Sequence, residues 1–582
     1  MNEQRIPIFY ACDDNFVKYT IVSLYSMIQN ASKERCYHVH ILHTNISEDM
    51  QQKVLMLSNE QFHISFVDVT DYLLFVGDKM PLRDYYSKTT YYRIFIAEMF
   101  PQYTKAIYID SDTVVQGDIS ELYDTNIGNA YVGACHEQVM VQVEEYGSYV
   151  EKVMGINRYA FFNAGLLLIN CDQFRQHKVM EKFIRLLQTY NFVVTQDEDY
   201  LNVICKDRVY WLDQRWNTEI FGSIPYPIEQ AYVLHYIMTN KPWHYHNCRN
   251  GDIFWRYAEG TSVYEEISTI LHTYTDEERQ RDQLSCENLL RLAVSETNKS
   301  DNYLNQLNKS RSKDRVDILK KIEEYERAGR FDEDVEDDPP TIPLPPENID
   351  YLHKGFLGNC KRILAFAAAS IFYWRLEKKQ DIVVNKAEGL EHLSGVKGAV
   401  ITCNHFHPMD SFIMQRVFDA SKHPKRLYRV IREGNYTSFP GFYGFLMRHC
   451  NTLPLSANVQ TMKKFLAAVQ QVLAEGNCLL IYSEQSMWWQ YRKPKPQKTG
   501  AFDIAVKHNV PVIPCFITMA DTDKLDADGF PVQEYTPHLG APIWPDENLP
   551  KRAAREKLKQ QTEAFCAETY ERIYGIPLTY KS

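Results

Sequence analysis

Lys105-Ala-Ile-Tyr-Ile-Asp-Ser-Asp-Thr-Val-Val115 is an apolar run that leads straight into two acids separated by one serine. A short apolar run rich in Ile, Tyr and Val reads as a buried strand. On a strand of period two, Asp110 and Asp112 project to the same side. They stand at its carboxyl end, where open α/β sheets bind ligands. Two carboxylates so placed repel unless a divalent cation lies between them, and a hard cation with open positions in turn grips a diphosphate. D-x-D alone is common in polar turns, so its surroundings decide what it means.

Those surroundings alternate strand-like and helical patterns. Ile6–Ala11, His38–His43, Ile64–Val69, Ala106–Ile109, Gly165–Asn170 and Ala231–His235 are strand candidates, with helical runs such as Thr20–Gln29, Ser47–Ser58 and Glu181–Tyr190 between them. Short apolar strands separated by helices imply an α/β domain with a mixed, mainly parallel sheet covered on both faces. From Thr273 to Arg330 the chain is polar and helix-forming, with Val316, Leu319, Ile322 and Tyr325 at helical spacing. Phe331-Asp-Glu-Asp-Val-Glu-Asp-Asp-Pro-Pro340 and Thr341-Ile-Pro-Leu-Pro-Pro346 follow, and their dense like charge and prolines predict an extended linker. Strand-like runs return at Gly398–Cys403, Arg426–Ile431, Cys478–Tyr482 and Pro511–Thr518, with helices at Val459–Ala474 and Lys551–Tyr574, which predicts a second α/β domain. The expected division is residues 1–270, a connector and linker over 271–349, and 350–582.

Charge follows the same cut. The net charge is −11, but residues 351–582 carry 30 Lys+Arg against 21 Asp+Glu, whereas residues 1–350 carry 34 against 54. Two modules with different partners are implied. The thirteen Cys are scattered without C-x-x-C pairs or zinc spacing, and Met1–Phe9 has no signal-peptide pattern, so reduced thiols in a cytoplasmic protein are expected. The apolar stretch Ile363–Trp374 has twelve residues, against the roughly 20 a spanning helix needs. With Lys361, Arg362, Arg375, Lys378 and Lys379 beside it, the stretch reads as a helix lying on an anionic membrane surface, a buried core helix being the other reading.

Five segments give Asp110-Ser111-Asp112 its context. Ile8-Phe-Tyr-Ala-Cys-Asp-Asp-Asn-Phe16, Thr90-Tyr-Tyr-Arg-Ile94, Phe162-Asn-Ala-Gly-Leu-Leu-Leu-Ile-Asn170, Gln196-Asp-Glu-Asp-Tyr-Leu-Asn202 and His235-Tyr with Lys241-Pro-Trp243 occur in this order around it. Together they resemble glycosyltransferase family 8, a retaining, metal-dependent group. The resemblance covers about residues 5–250 and implies a GT-A-like fold that binds a UDP-sugar and Mn2+ or Mg2+. It implies Asp110, Asp112 and His235 as metal ligands and Asp13 on the uracil edge, with Ala11 and Asn15 lining the nucleoside. Arg93 and Lys241 would meet the diphosphate or donor sugar, and Asn163 and Ala164 would line the sugar. Asp197 would be the acid near the sugar hydroxyls, with Glu198 and Ser111 also in the donor site. Where the family usually has Gly three residues after the histidine, this chain has Met238. Glu198 stands where sugar-transferring relatives often have Gln.

The second half holds Asn404-His-Phe-His-Pro-Met-Asp410 after an apolar run. Five residues turn a helix by about 140°, so His405 and Asp410 meet only if the chain turns between them. Pro408 supplies a turn and suits the first position of a new helix. Asp410 then holds one imidazole nitrogen while the other takes a proton from a hydroxyl. Phe439-Pro-Gly-Phe-Tyr-Gly444 with Asn451-Thr-Leu-Pro-Leu455, Leu479-Leu-Ile-Tyr-Ser-Glu484 with Lys498-Thr-Gly-Ala-Phe502, and Val510-Pro-Val-Ile-Pro514 follow. With NHxxxxD they resemble glycerolipid acyltransferases of the lysophosphatidate acyltransferase type over about residues 360–540. The resemblance implies His405-assisted transfer of an acyl group from acyl-CoA or an acyl carrier protein, with Glu484 and Lys498 in the acceptor region. Leu455-Ser-Ala457 and Glu484-Gln-Ser-Met487 replace the family's arginine-bearing segments, which implies a different acceptor. Arg429, Arg432, Arg492, Lys493 and Lys495 are candidate cations for headgroups or carrier phosphates, solvated surface being the plain reading of each.

The expected protein is a bifunctional enzyme, a hexosyltransferase using UDP-Glc or UDP-Gal joined to an O-acyltransferase. It would act on a lipid or glycolipid at the cytoplasmic membrane face, without a nucleic-acid partner. The alternative keeps the glycosyltransferase and makes the C-terminal half a non-catalytic docking module.

Overall fold

A computed structural model describes residues 5–70, 88–336, 341–353 and 355–581, and the chain forms two compact units, residues 1–307 and 308–582.

The first unit contains β1 (Ile6–Ala11), β2 (Tyr37–His43), β3 (Phe62–Asp68), β4 (Lys105–Ile109), β5 (Thr113–Val115), β6 (Val132–His136), β7 (Phe162–Asn170), β8 (Val209–Trp211), β9 (Thr218–Glu219) and β10 (Val233–His235). Its main sheet has the order β3-β2-β1-β4-β7-β6-β8. The first four strands are mutually parallel, β7 is antiparallel to both neighbours, and β8 is parallel to β6. Every residue of β1 is buried, as a strand covered on both faces requires. The helix Asp276–Asn298, within the expected connector, puts Leu289 and Ala293 into this unit's core. A capping box between Thr275 and Glu278 opens that helix.

A second, three-stranded sheet has the order β5-β10-β9. The chain leaves the main sheet at Ile109, turns through Asp110-Ser111-Asp112 and enters the small sheet at Thr113. The two acids therefore sit in a turn and not on a strand, as the alternation argument expects. β10 runs antiparallel to β5 with Thr113 opposite His235, and this pairing carries the histidine to the acids.

The second unit contains β11 (Val383–Val384), β12 (Ala399–Thr402), β13 (Leu427–Arg432), β14 (Thr452–Leu455), β15 (Cys478–Ile481), β16 (Val512–Leu525) and β17 (Pro531–Leu539). Its sheet has the order β11-β17-β16-β12-β15-β13-β14, parallel throughout except for the β16–β17 pair. A hydrophobic cluster covers each face.

The acidic, proline-rich stretch packs on this unit where it is described, in contrast to the extended linker expected. Val335 is buried with Ile322 and Trp488, and Leu344 joins the cluster of Tyr351 and Phe465. Trp488 Nε1–H donates to Glu333 O at 2.9 Å. Asp332 pairs with Lys498 and Asp334 with Arg432, each at 2.7 Å, which relieves the like-charge repulsion. Phe331, Val335 and Leu344, interspersed among the acids and prolines, supply the apolar anchors.

The stretch Ile363–Trp374 lies in the helix Phe356–Lys378, which buries Ala365, Ala369 and Tyr373. On its other side Phe356, Leu357, Ile363, Leu364, Ile371 and Trp374 are all more than half exposed. At 100° per residue these six fall within roughly 120° of arc. Among the described residues no helix is long and apolar enough to cross a membrane.

Candidate active sites

Asp110, Asp112 and His235 each offer one ligand atom, and those atoms lie within 4.8 Å of one another. The backbone fixes this convergence, because Asp110 N–H donates to Gly165 O at 2.7 Å and Tyr236 N–H to Asp112 O at 3.0 Å. His235 Nε2 is 3.2 Å from Asp112 Oδ1. Lys241 Nζ is 2.5 Å from Asp112 Oδ2 and also donates to Tyr236 O. Burial opposes the charge on Asp112, but Lys241 and His235 outweigh it and hold its carboxyl well below the usual range. A Cβ at Gly165 would stand 2.2 Å from His235 Cε1 and 2.9 Å from Asp110 Oδ2, so only glycine fits against the cluster. Two carboxylates and an imidazole nitrogen are a donor set suited to Mn2+, and less specifically to Mg2+.

The cluster opens into a cavity of about 230 Å³. Arg93, 4% exposed, spans it, with its guanidinium 3.2 Å from Asp110 Oδ1 and 3.1 Å from Asp197 Oδ2, and with Tyr108 beneath it at 4.4 Å. Burial pushes the Asp197 carboxyl up to about 7, with Arg93 opposing and Asp110 adding to the rise. Glu198 accepts the Ala164 N–H at 2.8 Å. Burial and the nearby Glu137 raise the Glu198 carboxyl well above its ordinary value.

The cavity wall brings Ala11, Ser111, Asn163 and Ala164 together with the metal cluster, Arg93, Asp197, Glu198 and Lys241. Ser111 accepts a hydrogen bond from Thr20 at 2.8 Å. Asp13 and Asn15 are not in the wall. Asp13 Oδ1 instead accepts the N–H groups of Asn15 and Phe16, both at 3.0 Å, just ahead of the helix Val17–Asn30. Phe16 lines the cavity in their place.

In the second unit, His405 follows the carboxyl end of β12, and Asp410 begins the helix Asp410–Ala420. Pro408 lies in the turn before that helix and not at its first position. His405 Nδ1 and Asp410 Oδ2 are 2.5 Å apart. Asp410 is 2% exposed, whereas the His405 side chain is 24% exposed and so reachable. Asn404 grips β16 with both ends of its amide, donating to Ile517 O at 3.0 Å and accepting from Ile517 N–H at 2.8 Å. The His405 ring stacks on Tyr482 at 4.3 Å. Glu484 accepts the N–H of His405 at 3.2 Å and that of Lys495 at 2.9 Å, so it supports the histidine loop from below.

The basic candidates around this site have partners within the unit. Arg429 is buried and donates to Cys450 O at 2.9 Å and to Gln415 Oε1. Arg492 pairs with Asp521 at 2.6 Å, and Lys493 with Glu326 at 2.7 Å. Lys495 is buried beside Ser486, and burial pulls its ammonium down to about 8. At the end of the second block Ser456 donates to Glu433 at 2.5 Å, and Glu433 also accepts Leu344 N–H at 2.7 Å.

Residues 7–247 match glycosyl transferase family 8. A putative glycosyltransferase of Haemophilus influenzae is 30% identical over 269 residues, covering 43% of this chain and 78% of the relative. The chain belongs to glycosyl transferase family 8. A lipopolysaccharide 1,3-galactosyltransferase of Salmonella typhimurium is 26% identical over 256 residues, covering 41% of this chain and 73% of its own length. The lipopolysaccharide glucosyltransferase WaaO of Escherichia coli is 26% identical over 262 residues, with shares of 41% and 73%. Residues 384–518 match the acyltransferase family. This family 8 chain thus joins a segment that matches the glycosyltransferase model to one that matches the acyltransferase model.

The geometry accounts for one departure from family 8. Met238 has φ of 60° and lines the cavity. It keeps the left-handed backbone that glycine adopts freely, at a cost of roughly 1–2 kcal/mol. Two neighbours of the site carry no sequence signal: Glu137 lines the cavity, and Asn217 is 3.0 Å from His235 Nδ1, both outside any motif.

Proposed function

We propose that the first unit transfers a hexose from UDP-Glc or UDP-Gal with retention of configuration, using a divalent cation held by Asp110, Asp112 and His235. The convergence of those three ligand atoms beside Lys241 and Arg93 carries the reading. The cation would supply Lewis-acid stabilisation of charge on the departing diphosphate. Lys241 Nζ and Arg93 add positive charge at the same end of the cavity. Asp197, 3.1 Å from the Arg93 guanidinium, and Glu198 would meet the sugar, and Ala11 and Ser111 would flank the nucleotide. Asp13 stays the candidate for the uracil edge and Asn15 for the nucleoside lining, through the turn they build.

The second unit transfers an acyl group from acyl-CoA or an acyl carrier protein thioester to a hydroxyl of a lipid or glycolipid. Asp410 accepts the Nδ1 hydrogen of His405 and sets its tautomer. His405 Nε2 takes the proton of the acceptor hydroxyl as the oxygen attacks the thioester carbonyl. The proton then passes to the leaving thiolate. Glu484 and Lys498 flank the acceptor region. The bond from His405 N–H to Glu484 favours catalysis over a docking role, because the altered third block still holds the catalytic loop. The test supplies the purified chain with UDP-sugars and Mn2+, and separately with acyl thioesters, over a lipid extract. Label from a UDP-hexose and from a thioester should enter the lipid fraction. Acyl transfer from no donor would return the second unit to the docking reading.

The exposed apolar face of the helix Phe356–Lys378 would rest on an anionic membrane at the cytoplasmic side. Burying a large side chain contributes about 1.5–3 kcal/mol. Replacing Ile371 and Trp374 together by Glu should therefore weaken cosedimentation with anionic vesicles by about tenfold or more. Unchanged cosedimentation would remove this face from the membrane.

A further inference from the structure

The buried side chains behind His235 form a hydrogen-bond chain whose polarity the backbone fixes at one end. Gly165 N–H donates to Asn163 Oδ1 at 2.8 Å, and a peptide N–H can only donate. Asn217 Nδ2 reaches the same oxygen at 2.8 Å, so Asn217 turns its nitrogen toward Asn163 and its oxygen toward His235. That oxygen is 3.0 Å from His235 Nδ1. An amide oxygen only accepts, so Nδ1 carries the hydrogen, and in the neutral ring the lone pair is on Nε2. At the far end Asn163 Nδ2 donates to Glu137 Oε2 at 2.5 Å, and Glu137 Oε1 accepts Val139 N–H at 3.0 Å. Asn217 is 0% exposed, and His235, Glu137 and Asn163 are at most 6% exposed, so water does not compete for these bonds.

We propose that Asn217 is a positioning residue which, with Asn163 and Glu137, locks His235 in the Nδ1–H tautomer and presents Nε2 as a ready metal ligand. The proposal rests on the cation reading above. With the ring neutral and Nδ1 carrying its hydrogen, as a metal ligand requires, His235 Nε2 and Asp112 Oδ1 face one another as two lone-pair atoms at 3.2 Å. Such a pair calls for a cation between them. A Cβ at Gly165 would come within 2.9 Å of Asn163 Oδ1 as well as 2.2 Å of His235 Cε1, so the chain of bonds leaves no slack. Groups that orient a ligating histidine in this way typically change metal affinity by about 10–100-fold when removed.

The test is calorimetric titration of Mn2+ into the full chain, with and without UDP, for wild type, His235→Ala, Asn217→Leu and Asn217→Asp. Asn217→Leu cannot accept from Nδ1 and should bind Mn2+ about 10–100-fold more weakly. Asn217→Asp keeps an acceptor for Nδ1 but gives up the donor to Asn163, and should lose clearly less affinity than Asn217→Leu. A packing role predicts the reverse order, since Leu is the apolar isostere and Asp adds a buried charge. Asn217→Leu binding like wild type, or Asn217→Asp losing as much as Leu, overturns the proposal. Imidazole 15N spectra of the metal-free wild type, assigned through His235→Gln, give a reading that needs no Asn217 variant to fold. They should show His235 protonated at Nδ1, and protonation at Nε2 alone overturns the proposal. If wild type binds no Mn2+ under either condition, the cation reading fails. If wild type binds, His235→Ala does not and Asn217→Leu is unaffected, only the positioning role fails.

Discussion

Asp112→Asn should lower kcat/KM for the UDP-hexose by roughly 10³-fold, the scale on which removal of one preorganised electrostatic group acts. The substitution is isosteric but removes an anionic ligand. It also leaves Lys241, 2.5 Å away, without the charge it pairs with in a largely buried site. The backbone bond from Tyr236 N–H to Asp112 O does not depend on the side chain, so the turn and the β5–β10 pairing should persist. Stranding Lys241 costs roughly 1–3 kcal/mol, so lost activity should come with a lower melting temperature but an intact fold, and raising Mn2+ should not restore it. Steady-state kinetics over a Mn2+ titration check this. An Asp112→Asn enzyme with wild-type turnover and the same Mn2+ dependence would show that the cation sits elsewhere.

His405→Ala should reduce acyl transfer by about 10²–10⁴-fold, the usual contribution of a positioned general base. Asp410, 2% exposed, would keep its buried carboxylate without the imidazole 2.5 Å away. A buried polar group left without its partner costs roughly 1–3 kcal/mol. A lower melting temperature should accompany the lost activity, so acyl transfer is to be assayed well below it. Sugar transfer by the same preparation should stay at the wild-type rate. Acyl transfer that survives the substitution would assign the chemistry to another group.

The sequence made legible the elements that are long and strongly patterned. β1, β2, β4 and the helices Val459–Ala474 and Lys551–Tyr574 lie where the apolar periodicity puts them. β5, β8 and β9 have two or three residues each, too few for any period to register, and β5 and β9 build the small sheet that delivers His235. The acids are recognisable as a pair, but strand periodicity puts them on a strand, whereas a turn between two sheets brings them together. Asn217 belongs to a short 3-10 turn outside every motif, and its role follows only from bonds made across 18 and 54 residues of sequence. The basic residues near His405 looked available because their partners are remote in sequence, as Asp334 is from Arg432. Prolines and acids around Phe331, Val335 and Leu344 hide the residues that anchor the supposed linker.

Two active sites in one chain, each with its own chemistry, is the central claim. Its most direct test measures both transfers in parallel on wild type, Asp112→Asn and His405→Ala, with labelled UDP-hexose and Mn2+ in one set and labelled acyl thioester in the other, over the same lipid extract. Asp112→Asn should lose sugar incorporation and keep acyl incorporation, and His405→Ala should do the opposite. Loss of both transfers in either folded variant, or of neither in both, would contradict it.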